Sequence, residues 1–219
     1  APLQEAAYEY EVCLKCHSEE TTPMTSTIPR QVPSGNMRQQ IAPASPSYHP
    51  IAAPGKNPDV PSLLSPMTPG SLIYCSDCHG NDDAQENIVG SNGPHGSRFE
   101  YLLAREYRTG GETSESPTAY ALCYGCHSRA SILADESFPG HEHHIVEERT
   151  PCSTCHDPHG IDQNRGNVMN NAHLINFDVS QVEPDAATGR LEYQSLGQGA
   201  GQCYLNCHGK NHSGESYFR

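Results

Sequence analysis

The chain has 219 residues, of which 35% are hydrophobic and none is Trp. Side chains of this composition cannot assemble an ordinary apolar core by themselves. The formal net charge is −13 with neutral histidines, which disfavours nucleic acid and anionic lipid surfaces as partners.

The protein is predicted to be exported, and its N-terminal third is predicted to be largely irregular. The chain begins Ala1-Pro2-Leu3 without a charged or apolar stretch, so we expect a secretory leader to have been removed. Residues 18–74 contain eleven of the 18 prolines and show no hydrophobic periodicity. We expect this segment to wrap the rest of the fold or another subunit, with His49 as its tether. No later stretch reaches the length of a membrane span, so a soluble protein is expected.

Three regular elements are predicted further along the chain. Ser97 and Glu100 have capping-box spacing, which indicates a helix over about residues 98–108. Pro117 opens a second helix that should end before Pro139. Residues 174–179 and 190–196 alternate as strands around a turn at 185–189 and predict a β-hairpin. Loops dominate elsewhere, so the expected fold class is mostly irregular with a few short helices and one hairpin.

Five clusters use all ten cysteines, and in each a histidine directly follows the second cysteine. Four clusters have the spacing Cys-x-x-Cys-His, and the last has Cys-x-x-x-Cys-His. In chain order the clusters are Cys13, Cys16 and His17; Cys75, Cys78 and His79; Cys123, Cys126 and His127; Cys152, Cys155 and His156; and Cys203, Cys207 and His208.

This pattern is the attachment signature of c-type haem, in which the two thiols bind the vinyl groups and the histidine becomes the proximal iron ligand. Zinc ribbons, redox dithiols and disulfides also pair cysteines, but none requires that histidine. We therefore expect five covalently attached haem c groups that form the core of a single domain over residues 1–219. The wider fifth motif fits if its extra residue bulges outward.

The second axial ligand separates an electron carrier from an enzyme, because an open iron can bind substrate. Eight histidines remain after the five proximal ones: His49, His95, His141, His143, His144, His159, His173 and His212. The competing methionines, interpreted as packing residues, are Met24, Met37, Met67 and Met169. The chain therefore has enough histidines to give each of five irons two histidine ligands, and we expect such irons to have low reduction potentials.

Local sequence favours five of these histidines as distal ligands. His159 and His212 follow a proximal histidine by three or four residues, so each is expected to reach a neighbouring haem. His95 lies in a Gly-Pro-His-Gly turn, where glycine lets the backbone approach a flat ring. His144 lies eight residues before Cys152 in a histidine-rich stretch, and His49 stands between an aromatic residue and a proline. The reserve candidates are His173 and then His141.

These motifs resemble the multihaem c-type cytochromes with doubled haem-binding motifs that metal-reducing bacteria contain. The resemblance rests on residues 47–51, 75–80, 93–97, 152–160, 173–177 and the terminal Cys207-His208-Gly209 with His212. It implies that histidines after Cys-His-Asp-Pro and Gly-Pro elements are distal ligands. Some members of this group polymerise into extracellular conductive filaments, whereas others stay periplasmic or join outer-membrane conduits.

The expected function is electron transfer without catalysis, in a protein located extracellularly or in the periplasm. The expected partners are redox cytochromes, extracellular electron acceptors or copies of the same chain in a homopolymer. The alternatives are a soluble periplasmic or outer-surface carrier, a multihaem reductase and a haem-storage protein. A reductase of this kind usually has a Cys-x-x-Cys-Lys motif, which the chain lacks. Storage does not need five permanently ligated irons.

Overall fold

The computed structural model describes residues 5–18, 28–82 and 93–219. Its helices are α1 (Glu9–His17), α2 (Met37–Gln40), α3 (Cys75–Cys78), α4 (Ala121–Tyr124), α5 (Arg129–Leu133) and α6 (Cys152–Cys155), with 3-10 turns at Glu100–Leu102 and Ala172–Leu174 and a π turn at His143–Glu147. The strands are β1 (Glu192–Gly197), β2 (Ala200–Cys207) and β3 (Lys210–Phe218). Few short helices, one small sheet and much loop confirm the predicted fold class.

The predicted helix over 98–108 is wrong, because only Glu100–Leu102 forms a single 3-10 turn. The Ser97 hydroxyl donates to the Leu103 carbonyl at 2.6 Å, so it closes a turn instead of capping a helix. Tyr101 and Leu102 then take left-handed backbone angles, with φ of 58° and 54°. Tertiary pairing of this segment with residues 78–80 replaces local helix formation.

The second predicted helix is present as two short pieces, α4 and α5. Between them His127 leaves helical geometry and forms a bridge with Leu63. The Ser128 side chain then caps α5 by accepting a hydrogen bond from the Ser131 amide at 3.2 Å. The interruption turns the His127 ring towards the Pro-rich segment.

The C-terminal sheet is antiparallel in the order β1-β2-β3. The predicted hairpin between 174–179 and 190–196 is therefore wrong in its pairing, because β1 pairs with β2 and residues 174–179 form only isolated bridges. The turn at 185–189 does form, with the Gly189 amide donating to the Asp185 carbonyl at 2.7 Å. Gly197 and Gly199, with φ of 113° and 71°, make the turn into β2.

The described part of the Pro-rich segment lies along the rest of the chain. Its isolated bridges join Arg30 to Asp178, Tyr48 to Gly160 and Leu63 to His127. These contacts bring one extended stretch to two later haem-attachment motifs.

Buried apolar side chains in the described part of the chain include two small clusters. The first contains Phe177, Val182, Tyr193 and Leu205, and the second contains Ala119, Tyr120 and Ile145. The thiol of Cys155 packs on the first cluster and that of Cys152 on the second. Helix α6 therefore joins the two clusters. Among the described residues, no helix has the length and apolarity needed to cross a bilayer.

Candidate haem sites

The five motifs are called sites 1 to 5 in chain order, with the proximal histidines His17, His79, His127, His156 and His208. At sites 1 to 4 the two cysteines lie one helical turn apart. Residues three apart on a helix share a face, about 5 Å apart along the axis, which suits attachment to one porphyrin edge.

At sites 2, 3 and 4 the proximal histidine completes the same helical turn. Its amide donates to the carbonyl of the first cysteine at 2.8 Å for His79, 2.9 Å for His127 and 2.9 Å for His156. The backbone of the motif is thereby closed on itself. At sites 2 and 4 the backbone of the proximal histidine is then extended, with φ of −102° for His79 and −103° for His156.

A second segment holds each of these turns from outside. At site 2 the Gly80 amide donates to the Leu102 carbonyl at 3.1 Å, and the Ala104 amide donates to the Cys78 carbonyl at 2.8 Å. At site 4 the corresponding bonds run from Asp157 to Leu174 at 2.9 Å and from Asn176 to Cys155 at 2.8 Å. At site 3 they run from Ser128 to Ser62 at 2.6 Å and from Leu64 to Cys126 at 2.9 Å. The three sites are thus copies of one two-segment unit.

Four proximal histidines each face a second imidazole. The ring-centre distances are 6.3 Å for His17 and His95, 6.0 Å for His79 and His159, 6.4 Å for His127 and His49, and 6.5 Å for His156 and His141. Two metal–nitrogen bonds of about 2 Å each separate two ligand rings by about 6 Å between centres. The four pairs therefore fit axial ligation of one iron each.

Hydrogen bonds at Nδ1 fix which ring nitrogen is free for a metal. The Nδ1 of His79 lies 2.9 Å from the Tyr101 carbonyl, and that of His156 lies 2.9 Å from the His173 carbonyl. The Nδ1 of His49 lies 2.5 Å from the Pro158 carbonyl. A carbonyl only accepts, so each Nδ1 carries the proton and each Nε2 keeps its lone pair. This is the orientation that second-shell carbonyls give to metal-binding histidines.

Burial keeps these imidazoles neutral. Desolvation lowers the pKa of His127, His141, His156 and His159 to about 4. A neutral imidazole is the form that binds a metal, because protonation would occupy the ligand lone pair. At neutral pH these four side chains are therefore ready for iron.

Site 5 is built differently. His144 and His212 both face His208, at ring-centre distances of 5.3 Å and 5.4 Å, and one nitrogen of each of the three lies within 4.8 Å of the others. Cys203 and Cys207 lie on strand β2, about 13 Å apart for four residues at about 3.3 Å each. The two thiols share a face of the strand but do not fit one porphyrin edge in this conformation.

His173 lies beside Tyr193 at a ring-centre distance of 6.3 Å. Its Nδ1 lies 3.2 Å from the side-chain nitrogen of Asn57, whose oxygen accepts from the Asp59 amide at 3.1 Å. Asn57 therefore donates to Nδ1, and the neutral ring carries its proton on Nε2. The contact of this reserve candidate with site 4 is made by its backbone carbonyl, which accepts a hydrogen bond from Nδ1 of His156.

Thiols of successive sites lie next to one another. The thiols of Cys13 and Cys75 lie within 4.8 Å of each other, and those of Cys123 and Cys152 are close enough for each to shift the pKa of the other. The carboxylate of Glu9 in α1 also accepts from the amide and hydroxyl of Ser76 at 2.9 Å each. Burial raises the pKa of Cys155 to about 12, and proximity to Cys203 and Cys207 adds to this rise. Cys126 likewise adds to the rise that burial causes in the pKa of Cys78, so neighbouring sites influence one another in chain order.

Comparison with known proteins identifies the same chemistry. Residues 65–131 match the family model of the doubled CXXCH motif. The motifs are those of a multihaem c-type cytochrome. The matched stretch contains sites 2 and 3, so the protein carries c-type haem at more than one site and transfers electrons. Comparisons with curated proteins and with solved structures returned no match.

The functional groups that sequence reasoning did not find are backbone carbonyls. Tyr101 and His173 each orient a proximal histidine through a carbonyl, and both have left-handed φ, at 58° and 57°. The available signal was the similar composition of Tyr101-Leu102-Leu103 and His173-Leu174-Ile175, which follow the proximal histidines of sites 2 and 4 by 22 and 17 residues. The proposed ligand His144 lies at site 5, while His141 occupies the position facing site 4. His212, which the sequence predicts to reach a neighbouring haem, instead faces His208 of its own motif, because the pairing of β2 with β3 places it opposite Leu205.

Proposed function

We propose that the protein is a pentahaem cytochrome in which every iron has two histidine ligands. The observation that carries the proposal is the set of four imidazole pairs at ring-centre distances of 6.0 to 6.5 Å. The distal ligands are His95 at site 1, His159 at site 2, His49 at site 3 and His141 at site 4. At site 5 the ligand is His144 or His212.

Site 5 takes its haem by a local change in β2. The haem is the same at every site, so Cys203 and Cys207 must approach each other to the spacing that a helical turn provides elsewhere. The bulge in β3, where the register shifts opposite Cys203 and Tyr204, makes this part of the sheet the easiest to bend.

The sites work as one conductor because neighbouring thiols bring successive sites together. When bound, each haem supplies an iron that cycles between the ferric and ferrous states. The chain contributes ligation, placement and a buried environment, and it closes each iron to substrate. Irons closed in this way would carry electrons without catalysis at sites 1 to 4, which supports the proposed function of electron transfer.

The conductor is proposed to continue from one copy of the chain to the next, in an extracellular filament that delivers electrons to external acceptors. Helix α1, which carries site 1, buries none of its residues, and Tyr8 and Val12 on it are 53% and 55% exposed. An exposed apolar face next to an attachment site suits contact with a second copy. A soluble periplasmic or outer-surface carrier is the alternative.

Mass spectrometry of the intact holoprotein tests the haem number, and light scattering with electron microscopy tests polymerisation. We expect five haems per chain and fibres at high concentration. Val12→Glu should abolish the fibres, whereas Val168→Glu should not, because Val168 is 68% exposed on a loop remote in sequence from α1. A strictly monomeric wild-type protein with five haems would contradict the filament and leave the carrier.

A further inference from the structure

A buried arginine from the Pro-rich segment lies beneath site 4. The Arg30 side chain is 7% exposed. Its guanidinium donates to the carbonyls of Ser153 at 2.5 Å, Asn176 at 2.8 Å and His156 at 3.0 Å. Two of these carbonyls belong to the site 4 motif, so a full positive charge is held directly against the attachment turn.

The counter-ion of Arg30 lies towards another site. The Asp157 carboxylate, also 7% exposed, lies 3.8 Å from the arginine Nε. It accepts hydrogen bonds from the side-chain nitrogen of Asn176 at 3.1 Å and from the His159 amide at 3.3 Å. His159 is the imidazole that faces His79 at site 2. The negative end of the pair therefore contacts the backbone of the residue proposed as the distal ligand of site 2.

Charges this deeply buried are weakly screened, so each acts strongly on what lies nearest. The nearest groups differ for the two ends of the pair. Arg30 contacts the carbonyls of Ser153 and His156 in the site 4 motif. Asp157 contacts the amide of His159, whose imidazole faces His79 at site 2.

We propose that the Arg30–Asp157 pair sets the relative reduction potentials of sites 2 and 4. A nearby cation disfavours the additional positive charge of ferric iron, so Arg30 raises the potential of site 4. A nearby anion favours that charge, so Asp157 lowers the potential of site 2. Transfer of one electron from ferrous iron at site 2, by way of site 3, to ferric iron at site 4 is then downhill. The inference rests on the proposed bis-histidine haems.

Redox titration of the holoprotein, followed by spectroscopy that resolves individual haems, tests this inference. Arg30→Gln should shift one potential downward, and Asp157→Asn should shift a different one upward. Arg30→Lys retains the charge without the three-way hydrogen bonding, so it should restore the site 4 potential. Arg129→Gln, which removes an arginine paired at the surface with Glu115, should shift neither.

A single substitution leaves one buried charge unpaired and could impair folding. A variant that removes both charges avoids this problem and still tests the inference. Arg30→Gln/Asp157→Asn should narrow the gap between the two potentials. Unchanged potentials in variants that retain five low-spin haems would overturn the inference alone. A wild-type protein without low-spin haem at sites 2 and 4 would instead overturn the proposed function.

Discussion

At sites 2, 3 and 4 the cysteines lie on one helical turn, and a second segment of the chain holds the motif by paired backbone hydrogen bonds. At site 5 the cysteines lie along strand β2, and two histidines compete for one position opposite His208. The difference follows from local geometry, because two thiols three residues apart need a helix to share a porphyrin edge. Two thiols four residues apart in sequence can share a face of a strand, but the distance between them is then too long for one porphyrin edge.

The comparison shows that a polypeptide with little apolar core prepares haem sites by backbone hydrogen bonding. Sites 2 and 4 use left-handed residues and their carbonyl acceptors to aim the proximal imidazole, whereas site 3 uses the Ser62 hydroxyl, and a second segment holds all three motifs. Site 5 has the ligands without that scaffold. We therefore expect the central sites to be required for folding and site 5 to be dispensable.

The largest effect is expected from removing attachment cysteines. Cys152→Ser/Cys155→Ser should prevent accumulation of folded holoprotein, because α6 joins both apolar clusters. Cys203→Ser/Cys207→Ser should give a folded protein with one haem fewer. Intact mass and yield from export-competent cells measure both outcomes. An equal loss of folded holoprotein in the two double variants would contradict the distinction between the central sites and site 5.

Distal ligands should also behave differently in the two regions. His141→Ala should open one iron per chain to carbon monoxide, because site 4 has no second imidazole in reserve. His144→Ala and His212→Ala should each open none, since the other histidine remains opposite His208. The double variant should open one. Visible spectra of the ferrous protein under carbon monoxide count the open irons, and binding by either single variant at site 5 would refute the shared position.

Two glycines with positive φ test the cost of disturbing each region. A Cβ on Gly160, with φ of 135°, would lie 2.5 Å from the Gln40 carbonyl oxygen and 2.8 Å from the Tyr48 Cβ. Gly160→Ala should therefore destabilise the protein by about 3 kcal/mol through strain and overpacking. Gly209→Ala, at a φ of 76° in open space, should cost only about 1 kcal/mol. Denaturant unfolding of the holoproteins measures the difference, which similar costs would contradict.

The smallest effect concerns pH and the region near site 3. The Arg129 guanidinium lowers the pKa of Glu115, and the Tyr124 hydroxyl donates to the same carboxylate at 2.9 Å. Because the pKa of Glu115 is lower in the folded than in the unfolded state, its ionised carboxylate stabilises the fold at pH values above the ordinary glutamate pKa. This stabilisation is lost as the pH falls through the lowered pKa. Because Arg129 is partly exposed, the gain should be about 0.5–1 kcal/mol.

In the Glu115→Gln variant, the free energy of unfolding should change less between neutral and acidic pH than it does in the wild type. The control is Glu106→Gln, whose partner Arg108 is 60% exposed, and which should leave the wild-type profile unchanged. Urea unfolding at a series of pH values gives both curves. A wild-type slope in the Glu115 variant would show that this carboxylate is not responsible.

The motifs in the sequence predicted the attachment residues and the loop-rich fold, because haem attachment requires fixed local spacing. The flanking residues of His49 and His95 and the spacing of His159 after His156 predict these three as distal ligands, and the structure brings each opposite a proximal histidine. The partner of each could not be predicted, since it depends on long-range pairing such as that of Tyr48 with Gly160. That pairing has no local pattern.

His141 and His144 illustrate the limit of local reasoning. Both occur in one histidine-rich stretch, and only the π turn at His143–Glu147 directs them to different sites. The helix predicted at 98–108 failed for a related reason, since Tyr101 serves His79 from a left-handed conformation that its own sequence does not favour. Functional backbone geometry thus overrode local propensity.

The most direct test of the central claim is the electron paramagnetic resonance spectrum of the native oxidised protein, with the haem number determined by mass on the same sample. The account predicts five haems per chain and only low-spin ferric signals, with no high-spin component. A high-spin signal integrating to one or more haems per chain would contradict the closed, bis-histidine conductor.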